Sequence, residues 1–403
     1  MLDFETIRPR IDRFQRLALI VGVVAAIIAV AWAFFSPAQF FHSYLYAYLF
    51  WFGLSIGGMA AVMLHHMVGG GWGAIIRRFL ENSAMMIPVM GILFIPILIF
   101  GMPYLYEWTN PEIVAEDPII RAKTLYLDWG FFAVRTILYF LIWTGMALLL
   151  NRWSNQQDQT ADPGLLGKFK TLSAPGLVIY VLTMTFAAFD WGMSLEPHWF
   201  SSIYGVIYIV GQALSALSFA IIMLYIFHQY RPLAEFFSVN RLHDIGKLMF
   251  AFVVLWTYIN VSQLLIMYSG DIAEETPWYI VRSNGGWEFF AIFLGLFQFA
   301  TPFFILLSRR TKRTLNRMVY LAVALLVVRH IDLFWLIQPA FYRDRVNISP
   351  LDFILPVALG GIWLGIYLQI LKRRPIAAFN SPVIQGKTPE TIGAFMDPHH
   401  SAK

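Results

Sequence analysis

The sequence predicts an all-α polytopic membrane protein of about ten transmembrane helices. Three observations carry the prediction. Hydrophobic residues make up 59% of the 403 positions and charged residues only 13%. The apolar residues gather into runs of ~20, enough to cross a hydrocarbon core of ~30 Å as a helix. Lys and Arg alternate between dense and sparse connections, as the positive-inside rule expects. Within lipid each span must pair its own backbone polar groups, and a helix does so.

The runs fall at 17–35, 44–68, 83–101, 130–150, 174–193, 202–228, 246–268, 285–308, 315–337 and 351–372. The first has a basic flank of Arg8, Arg10, Arg13 and Arg16. It is too long for a signal peptide and no small-x-small cleavage site follows, so a retained first helix is expected. The second carries Gly53, Gly57, Gly58, Ala60 and Ala61, a small-residue face for close helix packing. The run Gly69-Gly70-Gly71-Trp72-Gly73 then reads as a flexible loop. It lacks the Lys and Ser/Thr of a phosphate loop, so no nucleotide is assigned. Pro88 and Pro96 interrupt the third span and Pro302 the eighth, predicting bends. No paired helix break in the two halves is evident. Residues 151–173 read as a connection. The tail after Arg374 reads as solvated, with His399 and His400 too isolated to argue for a metal. Trp108, Trp129, Trp191, Trp199, Trp278, Trp287 and Trp335 fall at helix ends or loops, as an interfacial belt would.

Charge sets the expected orientation. The N-terminus and segments 69–82, 151–173, 229–247, 309–314 and 372–403 carry 21 of the 29 Lys and Arg, and the opposite connections five. Both ends are therefore expected in the cytoplasm. The pI of about 9.3 follows from this topology, which makes nucleic-acid binding a poor reading of it.

An internal repeat organises the spans. Asp190 in AAFDWGMSLEPHWF and Asp332 in RHIDLFWLIQPAFY each end an apolar run and each precede a proline by seven residues. Trp129-Gly130-Phe131-Phe132-Ala133 opens the fourth span and Trp287-Glu288-Phe289-Phe290-Ala291 the eighth. Tyr44, Ser55, Ala60 and Met63-Leu64 recur 160 residues later as Tyr204, Ser215, Ala220 and Met223-Leu224. Spans two to five and six to nine thus read as two parallel four-helix bundles, flanked by the first and tenth spans. The expected units are 1–43, 44–201, 202–345 and 346–403.

Charges inside spans are expensive and mark candidate sites. Asp190, Asp332, Arg135, Glu288, Arg329 and His330 share one depth. Arg329 and Asp332 are three apart and Asp128 and Arg135 seven apart, each pair on one helix face, and Asp190 is an alternative partner for Arg135. The group reads either as structural ion pairs or as a proton-relay or quinone-headgroup site. His65 and His66 end the second span near His243, Asp244 and Lys247 of the seventh, a possible proton path or an interfacial pair. Thr257, Tyr258, Asn260, Ser262 and Gln263, with Gln212 and Gln298, either bond between helices or line a wet path.

The chain has no cysteine, so its own thiolates cannot hold an iron–sulfur cluster. Only His65, His66 and His330 lie inside spans, and the adjacent pair points about 100° apart, a poor set for paired haems or another metal. Electron transfer over distance would need cofactor-bearing partners.

The ten spans, LFWFGLSIGGMAAVMLHHMVGGGWG (49–73), FDWGMSLEPHWFSSIYG (189–205) and INVSQLLIMYSGDIAEETPWY (259–279) resemble the ActF-type membrane subunits of alternative complex III. These belong to the polysulfide-reductase membrane-subunit (NrfD-like) superfamily. The resemblance covers nearly the whole chain. It implies a subunit of a respiratory quinol:electron-acceptor oxidoreductase, active only within its complex and supporting quinol interaction, proton translocation or both. It also implies a homologous sister subunit, ActC, and separate subunits carrying haem c and iron–sulfur clusters, with lipids and a terminal oxidase or cytochrome c as further partners. The family's acid and histidine positions at periplasmic helix ends correspond to Asp190, His330 and Asp332. A secondary transporter and a structural membrane anchor are the alternative readings.

Overall fold

The protein is described by a computed structural model over residues 2–160, 162 and 164–378. Among them are ten helices long and apolar enough to cross a membrane: Phe4–Ala33, Pro37–Val68, Arg77–Leu105, Trp129–Thr160, Gly164–Leu195, Tyr204–Phe227, Val239–Gly270, Trp287–Leu307, Leu315–Ala340 and Leu351–Leu371. They are called spans 1 to 10. The fold is all-α and polytopic, apart from a two-residue parallel bridge that joins Leu2–Asp3 to Tyr230–Arg231. An even number of spans leaves the two chain ends on one side, here the terminal side; the other is the far side. The C-terminal tail with His399 and His400 lies outside the described residues.

Spans 2 to 5 close a ring, each against the next, with span 5 returning to span 2. Spans 6 to 9 close a second ring in the same way. The rings meet along spans 2 and 6, and these two form the buried centre. The contact is close because Gly57 has no side chain: a Cβ there would sit 2.3 Å from the Gln212 carbonyl oxygen of span 6. Spans 1 and 10 run antiparallel as a separate pair, and span 10 leans on span 2.

Local chemistry sets the helix ends. Pro37 opens span 2, where its missing N–H is not needed. Ser238 accepts the Arg241 N–H to cap span 7. Asn110 and Asp117 cap two short helices in the far-side connection between spans 3 and 4. Spans 3 and 8 each contain a π-turn, at Ile97–Gly101 and Gly295–Ala300. Pro96 stands before the first and Pro302 just after the second, so the expected bends are realised as π-turns.

Three expectations change. Residues 151–173 are mostly helical, because span 4 continues to Thr160 and span 5 begins at Gly164. The run 69–73 is not loose: Gly71–Ala74 forms a helical turn, and Trp72 and Gly73 are buried against the His65 ring. Only Trp129 of the seven tryptophans is exposed as a belt residue would be, at 54%. Trp108, Trp191, Trp199, Trp278 and Trp287 are buried. Their indoles join elements, as when Trp108 Nε1 donates to the Ser194 carbonyl at 3.2 Å and Trp287 Nε1 to the Tyr342 carbonyl at 2.9 Å.

Candidate functional site

The two repeat acids end in different environments. Asp190 of span 5 accepts from Arg135 of span 4 through both oxygens, Nε to Oδ2 at 3.0 Å and Nη2 to Oδ1 at 2.8 Å. Tyr139 adds a hydroxyl at 3.0 Å. Arg135 also donates to the Tyr126 carbonyl at 3.0 Å and stacks over the Tyr126 and Phe131 rings. The clamp is saturated on both sides. Asp128 is not part of it. Its carboxylate accepts the Phe131 N–H at 2.9 Å, because it sits at the start of span 4, where free N–H groups need an acceptor.

Asp332 of span 9 pairs with Arg329 one turn earlier. The guanidinium lies against span 6, over the Tyr208 ring and in the space left by Gly211, where a Cβ would sit 2.3 Å from Arg329 Cζ. The other Asp332 oxygen, Oδ1, is buried with only Trp256 beside it. His330 is not its relay partner. Its ring packs on Tyr46 and Phe50 of span 2, because helical residues two apart point in different directions.

Beside this pair, spans 7 and 8 part on the far side to form a cleft of about 1020 Å³. Val261, Leu264 and Ile292 line it and are exposed on the outer face of the helices. Trp256, Trp335 and Arg282 also line it, and Trp256 stands next to Asp332. The Nε1 of Trp335 and the Nε of Arg282 are buried without a partner, whereas Trp256 has the Asp332 carboxylate beside it. Native structures rarely leave buried donors unmet, so two on the wall of one cleft need an explanation. Arg282 is otherwise fixed by Glu196 at 3.0 Å and by the carbonyls of Trp278 and Leu336. Glu288 lines the same cleft and accepts the Gly286 N–H at 2.9 Å.

The polar residues of span 7 do not form one line. Tyr258 is 66% exposed on the outer surface, which removes it from any interior path. Thr257 and Asn260 bond to carbonyls of their own helix. Gln263 is buried and accepts from Ser201 at 3.4 Å. Gln212 accepts from Tyr180 at 2.8 Å, and Gln298 is buried in the π-turn with neither amide atom paired.

On the terminal side, His65 packs on Trp72 and His66 stacks on Phe169 at 4.2 Å. His243, Asp244 and Lys247 belong elsewhere: Asp244 and Lys247 form a surface pair at 3.0 Å. The histidines instead adjoin a buried charge cluster that sequence reasoning missed. Arg77 lies over the Phe169 ring, at 4.8 Å, and donates to Glu81 at 2.6 Å. Arg78 donates to Glu81 at 2.9 Å and pairs with Asp158. Arg374, just beyond span 10, reaches Glu81 at 3.4 Å and Asn82 at 2.8 Å. Burial lowers the Arg374 pKa to about 10, against the pull of Glu81, so it stays charged at neutral pH. The available signal was Arg77-Arg78-x-x-Glu81, two cations one helical turn before an acid.

Asp352 at the start of span 10 was also missed. It accepts from Ser43 at 2.5 Å and from the Ser349 N–H at 2.8 Å. The spacing Ser349-x-x-Asp352 is that of a capping box, with Asp in the usual Glu position. Compared with models of known protein families and with curated protein sequences, the chain matches none.

Proposed function

We propose that this chain is an ActF-type membrane subunit of a respiratory quinol:electron-acceptor oxidoreductase, and that its far-side cleft receives a quinone headgroup. The observation that carries this reading is the pair of unmet donors on Trp335 and Arg282, with the Trp256–Asp332 contact behind them, around a lipid-facing apolar cleft. A quinone has the complementary form, with two opposed oxygens on a ring and an apolar tail. Pockets of this kind fix orientation with a few polar groups in an apolar wall. The two unmet donors suit the ring oxygens. Asp332 Oδ1 suits a proton leaving quinol. Oxidation of quinol to quinone releases two protons and two electrons; haem c and iron–sulfur partner subunits, with the sister subunit ActC, would take the electrons. A terminal oxidase or cytochrome c would follow them.

The Arg135–Asp190 clamp supports a different role for its half of the repeat. Its carboxylate has no oxygen free, which favours a structural anchor there. A secondary transporter is the second reading, favoured by the parallel repeat but not by the π-turns, which fall in spans 3 and 8 and so not at corresponding positions of the two units.

The test is purification of the native assembly with its subunits identified, followed by turnover in vesicles. Haem and iron should accompany the assembly. Asp332→Asn keeps the size but cannot take up a proton, and it should lower quinol oxidation by about a hundredfold with subunit content unchanged. Trp335→Phe should weaken protection by a quinone-site inhibitor. Normal turnover in both variants would refute the quinone site, and a haem-free, iron-free native protein would favour the transporter.

A further inference from the structure

Spans 8 and 9 also part on the terminal side, away from the quinone cleft. A groove of about 350 Å³ lies between them, lined by Phe297, Ile305, Leu321 and Val328, with Thr311 and Arg317 at its mouth. The π-turn at Gly295–Ala300 and Pro302 lie at its base and give span 8 the local distortion that a regular helix lacks. From Arg317 to Val328 span 9 rises by about 16 Å, so the groove is long, narrow and apolar.

Its mouth is strongly cationic. Arg309, Arg310, Lys312 and Arg313 lie on the connection that leads into span 9, and Arg317 on its first turn. Among the described residues none of the five forms an ion pair. From span 7, Lys247 and Asp244, which pair with each other, and His243 lie near Lys312 and Arg313. Lys312 lies over the Phe250 ring and against Gly246. The positive-inside rule accounts for cations on one side of a membrane, but not for an apolar groove directly beneath them.

We propose that this groove is a binding site for an anionic glycerophospholipid. One acyl chain lies between spans 8 and 9, and the phosphate sits among Arg313, Arg317 and the neighbouring cations. Basic pockets between helices suit such headgroups, and their pull on an anionic lipid grows with each cation near the surface. The occupant is a lipid because the cations and the chain-shaped groove are continuous: Arg317 belongs to both.

The test uses the delipidated full chain in neutral detergent. Phosphatidylglycerol, phosphatidylcholine with the same chains, and chain-free glycerophosphoglycerol are titrated in turn, and bound lipid is counted by native mass spectrometry. Phosphatidylglycerol should bind best, and the chain-free headgroup should not bind. Arg313→Gln and Arg317→Gln should each weaken phosphatidylglycerol by about fivefold, and by about twenty-five-fold together. Ala324→Phe fills the groove from its exposed wall, keeps every cation, and should also abolish retention. Equal binding of the two lipids, or unchanged binding in the double arginine variant, would overturn the proposal. Binding of the chain-free headgroup as strong as that of the lipid would mean a simple anion site and would also overturn it.

Discussion

At the scale of single residues, the decisive contrast is between Asp190 and Asp332. Both are buried acids at matching places in the sequence repeat, yet one takes three hydrogen bonds from span 4 and the other has only Arg329 and the neighbouring Trp256. Sequence showed both as costly intramembrane charges and placed each near an arginine. It could not show that Arg135 turns to Asp190 rather than Asp128, because a seven-residue spacing on one helix carries no information about a neighbouring helix. It also missed Glu81, whose arginines resemble an ordinary basic flank until spans 4 and 10 fold over them. The saturated clamp predicts a specific mutational pattern. Arg135→Gln leaves Asp190 buried without its cation and should cost ~3–5 kcal/mol of stability. The double variant Arg135→Gln with Asp190→Asn removes both charges and should recover much of that loss. Thermal unfolding in detergent measures both, and equal losses in the single and double variants would show that the charges are not coupled.

At the scale of elements, the spans were legible because length and apolarity alone define a membrane helix. What was not legible is how each helix departs from regularity. Proline positions marked spans 3 and 8, but only the folded backbone shows that the distortion is a π-turn. In span 8 that turn lies between the two clefts, with Gly295 and Phe299 on one and Phe297 and Thr301 on the other. The tryptophan belt failed for a related reason. Indoles at helix ends find either headgroups or the carbonyls of neighbouring elements, and composition does not choose between them. The antiparallel pairing of spans 1 and 10 makes a testable claim about small residues. Their backbones meet at Gly22 and Gly361, where a Cβ on Gly361 would sit 2.5 Å from the Ala18 carbonyl oxygen. Gln15 and Gln369 hydrogen-bond across the same seam at 3.0 Å. The native chain has no cysteine, so Gln15→Cys with Gln369→Cys should be joined by a short bis-thiol cross-linker. Adding Gly361→Leu should reduce that product at least tenfold by holding the spans apart. An undiminished yield would remove this contact as the basis of the pairing.

At the scale of the whole molecule, two rings of four helices share a buried seam of spans 2 and 6, and the outlying pair of spans 1 and 10 leans on the first ring. The far side gathers the Asp332 pair, the cleft and the Arg282–Glu196 tie. The terminal side gathers the Arg77–Glu81–Arg374 cluster and the cationic groove. The orientation of this asymmetry in a membrane rests on charge: among the described residues, 19 of the 27 Lys and Arg lie in the terminal-side connections. Positive loops are retained on the cytoplasmic face, so the terminal side should be cytoplasmic and the far-side cleft periplasmic. The same orientation would set the cationic groove against an anionic inner leaflet, where its proposed lipid is available. Single cysteines in the cysteine-free chain test this directly. Glu112→Cys and Asp271→Cys lie at exposed far-side positions, and Gln156→Cys at an exposed terminal-side one. In cells with only the outer membrane permeabilised, a membrane-impermeant maleimide should label the first two. Gln156→Cys should react only after the inner membrane is opened. The reverse pattern would turn the molecule over and place the cleft on the cytoplasmic face. Labelling of Glu112→Cys and Gln156→Cys from the same side would break the ten-span path itself, since span 4 alone separates them.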